Sequence, residues 1–164
     1  MKFIITLLLS VCSYALFSQT LSVKGKLYPA TETYKLMRNS GFNDKLEISF
    51  AKNKNQGLMV LTIDSRGIGR ITKSILYLED GSVITCLDKG IYDEVDGTTT
   101  SVFYLTQSEI QKLKSNNIYN VRFSFRDDYG HLENFSATNK DDPGILYTEK
   151  IDFPSIITEL FENN

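Results

Sequence analysis

Apolar and polar residues alternate with a period of two along much of this chain, and the stretches that keep the alternation predict strands. Thr100–Phe125 (TSVFYLTQSEIQKLKSNNIYNVRFSF) is where local signals agree best. Thr106 and Glu109 have the spacing of a capping box, with Leu105 and Ile110 placed as a hydrophobic staple around it. Ile110 and Leu113 share one face of the short helix this predicts. Lys112 and Lys114 fall toward its last turn, and Asn116-Asn117 closes it. Behind it Tyr119, Val121, Phe123 and Phe125 alternate with Asn120, Arg122 and Ser124, a half-buried strand.

The rest of the pattern is read outward from this segment. Leu21–Tyr28 predicts a first strand, interrupted by Gly25 and ended by Pro29. Thr31–Asp44 has no clean period and reads as a loop, with a helical turn near Tyr34–Met37. Leu46, Ile48 and Phe50 predict a strand with one wet face, and the continuous apolar run Leu58–Ile63 predicts one covered on both faces. Ser74–Leu87 reads as a hairpin with Asp80-Gly81 as a two-residue type I′ turn. That turn faces Leu78 with Val83, Leu76 with Thr85 and Ile75 with Cys86. Both faces are then largely apolar, and the hairpin is expected to sit centrally. Asp88–Gly97 reads as an acidic loop. Asp128-Tyr129-Gly130 suits a three-residue turn that faces Phe123 with Phe135, Val121 with Ala137 and Asp127 with His131. Ile145–Ile151 is expected as a last edge strand. Pro154 opens a terminal helix whose apolar face is Ile156, Ile157, Leu160 and Phe161. The fold expected is α+β and mostly β: an antiparallel sheet or sandwich of roughly eight strands with one or two short helices.

Residues 1–18 change the picture of where the protein works. Lys2, the apolar run to Phe17 and the small Ser18 read as a cleaved export signal, leaving 19–164 as one β-rich domain in the periplasm or outside the cell. Cys12 raises the alternative of a lipid anchor, which is the less favoured reading because Val11 suits such a site poorly and the apolar run continues past it. No stretch is long enough for a transmembrane helix. Loss of Lys2 moves the net charge from −2 to about −3, a mixed balance that argues against nucleic acid and against electrostatic docking on an anionic membrane. Of the 2 cysteines, Cys86 alone would remain, so no internal disulfide forms, and its strand position predicts a buried, inert thiol.

Candidate chemistry is sparse, and each case has a plainer reading beside it. Asp93, Glu94 and Asp96 could offer oxygens to calcium, yet they lack the ligand spacing of the familiar calcium loop and also suit a solvated turn. His131, the single histidine, faces Asp127, which could orient it as a general base. No nucleophile signature accompanies the pair, and a cross-strand ion pair explains it as well. Arg122 and Arg126, with Asn134 and Ser136 across the hairpin, could take a carboxylate or sulfate, or form an ordinary wet sheet face. The glycines of Asp64–Gly69 lack the setting of a phosphate loop, so no cofactor is expected. Together these features favour an exported, non-enzymatic module that binds a protein or cell-envelope component. A carrier with an internal apolar cavity is the alternative, and a small secreted hydrolase the least favoured.

Overall fold

The computed structural model describes residues 19–38, 45–64, 68–140 and 149–162. The chain is mostly strand, as expected, but more finely divided. β1 (Thr20–Val23) and β2 (Lys26–Pro29) form a hairpin where one interrupted strand was expected. Gly25 is not an interruption but half of a turn: Lys24 and Gly25 both take left-handed backbone, φ 49° and 73°, as a type I′ turn requires. β3 (Tyr34–Arg38) replaces the expected loop and helical turn, because Tyr34 and Leu36 face Ile48 and Leu46 of β4 (Lys45–Asn53). Only two inward residues mark that strand, too few to show a period. β5 (Gln56–Asp64), β6 (Gly69–Leu78) and β7 (Val83–Leu87) follow. The acidic loop is itself a hairpin, β8 (Tyr92–Val95) and β9 (Thr98–Leu105), turning at Asp96-Gly97 with φ 52° and 77°.

After β9 comes α1 (Gln107–Ser115), and here the local reading is met in full. The Thr106 amide donates to Glu109 Oε2 at 2.7 Å and the Glu109 amide donates to Thr106 Oγ1 at 3.3 Å. Leu105 and Ile110 are both buried beside it. β10 (Ile118–Asp127) and β11 (Leu132–Thr138) pair as expected, Phe123 facing Phe135 and Val121 facing Ala137, with Gly130 left-handed at φ 87°. α2 (Phe153–Glu162) buries Phe153, Ile157 and Leu160. Most of the expected strand Ile145–Ile151 lies outside the described residues, and Glu149–Ile151 is not strand.

Among the described residues one antiparallel sheet of nine strands carries the structure, in the order β7-β6-β10-β11-β3-β4-β5-β9-β8. It curls until β6 and β9, far apart in that order, come together. Register shifts in the β6–β10 ladder, at Ile118/Asn120 and Ser124/Phe125, sharpen the curl. β7 begins its pairing with β6 at Lys73, which leaves the backbone of Gly69–Ile71 without a strand on that side. Hydroxyls close the gap. The Ile71 amide donates to Ser101 Oγ at 3.1 Å, and Thr99 Oγ1 donates to the Gly69 carbonyl at 3.2 Å.

The concave side is filled. Phe50, Phe103, Phe123 and Phe153 are fully buried there, with Phe153 of α2 edge-on to Phe50 and Tyr34. A buried amide docks α2: Asn139 accepts from the Ile151 amide at 2.9 Å and donates to the carbonyls of Ile151 and Ile118. On the convex side the β1–β2 hairpin covers Ala51, Leu58, Val60 and Val102, forming a second, smaller core. β5 is thus covered on both faces, as its unbroken apolar run predicts. Among the described residues no helix is long and apolar enough to cross a membrane.

The Ser74–Leu87 hairpin corrects the sequence reading. Its loop has three residues rather than two, with the Leu78 amide donating to the Ser82 carbonyl and Gly81 left-handed at φ 82°. Tyr77 therefore faces Val83, Ile75 faces Thr85 and Ser74 faces Cys86. That shift of one residue exchanges the faces of β7. Ile84 and Cys86 turn inward with Leu76 and Leu78, while Val83 and Leu87 turn out. The hairpin is not central: β7 ends the sheet, and its outer face is uncovered.

Candidate binding face

The outer face of β7-β6-β10-β11 gathers the polar halves of several amphipathic strands. On β10 Val121, Phe123 and Phe125 are buried, so Arg122, Ser124 and Arg126 project from the opposite face. β11 sets Ser136 opposite Arg122 and Asn134 opposite Ser124, and the Ser124 hydroxyl donates to Asn134 Oδ1 at 2.7 Å. The four residues expected from sequence to act together do share this face, although Arg122 and Arg126 stand roughly 13 Å apart along the strand.

β6 adds what sequence reasoning missed. Lys73 lies opposite Ser124, between the two arginines, and Arg70 lies opposite Arg126. Arg70 is engaged, its Nε 3.3 Å from Asp88 and its guanidinium 5.1 Å from the centre of the Tyr92 ring. Lys73, Arg122 and Arg126 make no ion pair among the described residues. An anion set among them could pair with charges that have no ion partner among the described residues. Beside them Val83 (41% exposed) and Leu87 (58%) form an apolar margin. The face can therefore hold a negatively charged partner over several strands, with short hydroxyl and amide groups between the charges.

The other candidates are differently placed. Asp127 and His131 do meet at the mouth of the curl: Nδ1 lies 2.9 Å from Oδ2, and the His131 amide donates to Oδ1 at 2.8 Å. Burial works against the charge of Asp127, but hydrogen bonds from the His131 ring and amide outweigh it and hold the carboxyl below the usual carboxylate range. The adjoining cleft of about 400 Å³ is lined by Ile68, Phe125, Asp128, Tyr129 and Glu133 besides the pair, and among the described residues it has no serine, threonine or cysteine to be activated. Asp93 and Glu94 are consecutive on β8 and point to opposite faces, while Asp96 sits in the turn. Asp93 Oδ1 accepts from the Glu94 amide at 2.9 Å. Among the described residues no group of His, Cys, Asp and Glu gathers as a metal site. Cys86 is buried, and its thiol is pushed up to about 12 by burial and by the charge of Glu109.

No family model, curated protein or solved structure shows a significant match to this chain.

Proposed function

We propose that this is an exported, non-enzymatic binding module whose outer face of β7-β6-β10-β11 engages an acidic glycan of the cell envelope. One observation carries the reading: among the described residues Lys73, Arg122 and Arg126 have no ion partner, and they stand on one sheet face of a protein whose net charge is negative. The groups between them, Ser124 and Asn134, are of the kind that pair with sugar hydroxyls, and guanidinium groups bind carboxylate or sulfate in planar, two-pronged fashion. The internal carrier is less well supported, because the concave side is packed with aromatic and aliphatic side chains. The hydrolase reading lacks a nucleophile beside His131 among the described residues.

The test is affinity electrophoresis of the mature protein through gels holding polygalacturonate, dextran sulfate or neutral dextran. Retardation by the acidic polymers, lost in Lys73→Gln/Arg122→Gln/Arg126→Gln and weakened by added salt, is the expected result. Equal mobility in all gels, or retardation that survives the triple substitution, would sink the reading.

A further inference from the structure

The cationic face continues past Arg122 toward the start of β10, and its chemistry changes there. On β10 the buried residues Ile118 and Val121 are separated by two outward ones, Tyr119 and Asn120, where unbroken alternation leaves room for one. The cause is a register shift: Ile118 faces Leu78 and Asn120 faces Tyr77, so Tyr119 is the extra residue of a bulge. The period of two puts Tyr119 inward with Val121 and Phe123, but the bulge turns it out, 49% exposed. Tyr77 is on the same outer face, since Leu76 and Leu78 on either side of it are buried. Two tyrosines on neighbouring strands, about 4.8 Å apart, thus border Arg122, which faces Ile75 and is the next outward residue after Asn120.

Neither ring stacks on another aromatic or under a cation among the described residues. Glu79, two residues beyond Tyr77, is ion-paired with Lys150 and so does not oppose the charge of Arg122. Open rings beside a guanidinium and the Asn120 amide suit a pyranose that carries an acid. The C–H face of the sugar lies on a ring, its hydroxyls meet the amide, and its carboxylate reaches the guanidinium.

We infer that Tyr77 and Tyr119 form a sugar-stacking subsite at the Arg122 end of the face, which selects a polyanion built of pyranose rings over one that is only charged. This specificity rests on the acidic-glycan reading of the face, and the two tyrosines are what makes the ligand a carbohydrate.

The experiment is affinity electrophoresis of the mature protein in gels holding polygalacturonate or poly-L-glutamate at matched carboxylate concentration, the second a polycarboxylate without sugar rings. Tyr77→Val/Tyr119→Val removes both rings and keeps residues that favour strands, whereas Tyr77→Phe/Tyr119→Phe keeps the rings. The Val pair should weaken binding of polygalacturonate by roughly three- to tenfold, about the worth of one aromatic contact, and leave binding of polyglutamate unchanged. The Phe pair should match the parent in both gels. Circular dichroism and melting curves confirm that each variant is folded. A parent protein that polygalacturonate does not retard overturns the glycan reading and the subsite together. The subsite alone is overturned if the parent is retarded and Lys73→Gln/Arg122→Gln/Arg126→Gln abolishes this, but the Val pair binds polygalacturonate as the parent does or loses both polymers equally.

Discussion

Ser101→Ala tests how this curled sheet is closed. Ser101 and Ile71 are each 0% exposed, and the Ile71 amide donates to Ser101 Oγ at 3.1 Å on the side of β6 away from β10, where β7 does not reach. Removing the hydroxyl takes away the acceptor but leaves the amide buried. The penalty is therefore that of an unsatisfied buried donor, about 1–3 kcal/mol, rather than the smaller net value of one exchanged hydrogen bond. For a domain of this size that is a drop in melting temperature of roughly 3–10 °C. Urea unfolding should show a lower midpoint at unchanged slope, and the Ile71 amide should lose protection from hydrogen exchange. Ser74→Ala supplies the opposite case within the same strand system. Ser74 is also 0% exposed, but its Oγ has no hydrogen-bond partner among the described residues. Its removal should leave stability unchanged or raise it by about 1 kcal/mol. If Ser101→Ala stays within about 0.5 kcal/mol of the parent, as a neutral surface change would, and Ile71 stays protected, the hydroxyl does not close the seam. The account of the curl then fails.

Three further outcomes follow from single sites. Asn139→Ala strips the Ile151 amide of its partner and leaves the Ile151 carbonyl only the bond from Asn117; it should cost about 1–3 kcal/mol and expose the chain before α2 to limited proteolysis ahead of the rest. Cys86, its thiol pushed up to about 12, should resist alkylation at pH 8 in the native state and react at once in urea. Because the unfolded thiol ionises lower, at about 8.5, this burial favours the folded state below that pH and loses its effect as pH rises beyond it. Asp127, held below the usual carboxylate range by His131, contributes stability above the unfolded carboxyl's pKa, and this is lost as pH falls through its lowered native value. Carboxyl carbon NMR should show the Asp127 midpoint move upward in His131→Ala; an unmoved midpoint would mean that the ring does not stabilise the charge.

What could be read from the sequence was what neighbouring residues decide among themselves. The capping box of α1 and the Asp128-Tyr129-Gly130 turn each depend on a few adjacent positions and are found as expected, and Leu105 and Ile110 on either side of the cap are buried in one core. Asp-Gly shows the limit of that logic. At Asp96-Gly97 it forms a two-residue type I′ turn, whereas at Asp80-Gly81 it completes a three-residue loop. The dipeptide supplies left-handed backbone in both places but does not set loop length. Between Ser74 and Leu87 the flanking pattern could not correct the choice, because Ile75 and Tyr77 on one face are as apolar as Leu76 and Leu78 on the other. The curl of the sheet, acting from β9 and β10, decided which pair is buried.

The same distinction runs through the binding face. Arg122, Arg126, Asn134 and Ser136 could be grouped because one hairpin holds all of them in one register. Lys73 could not, since its place depends on a bulge against a strand about fifty residues later in the chain. The misassigned face of β7 bears on function for this reason. Val83 and Leu87, apolar residues that sequence reasoning places inside, are instead exposed beside Lys73, on a face that Ile75 and Tyr77 share. A wet face needs no apolar margin for solubility, and an edge strand with outward Val and Leu but no charge of its own is open to association. In the binding role proposed for this face, an apolar margin next to cations without ion partners among the described residues would divide the work: the charges would attract and orient the partner, and Val83 and Leu87 would gain only once water is displaced.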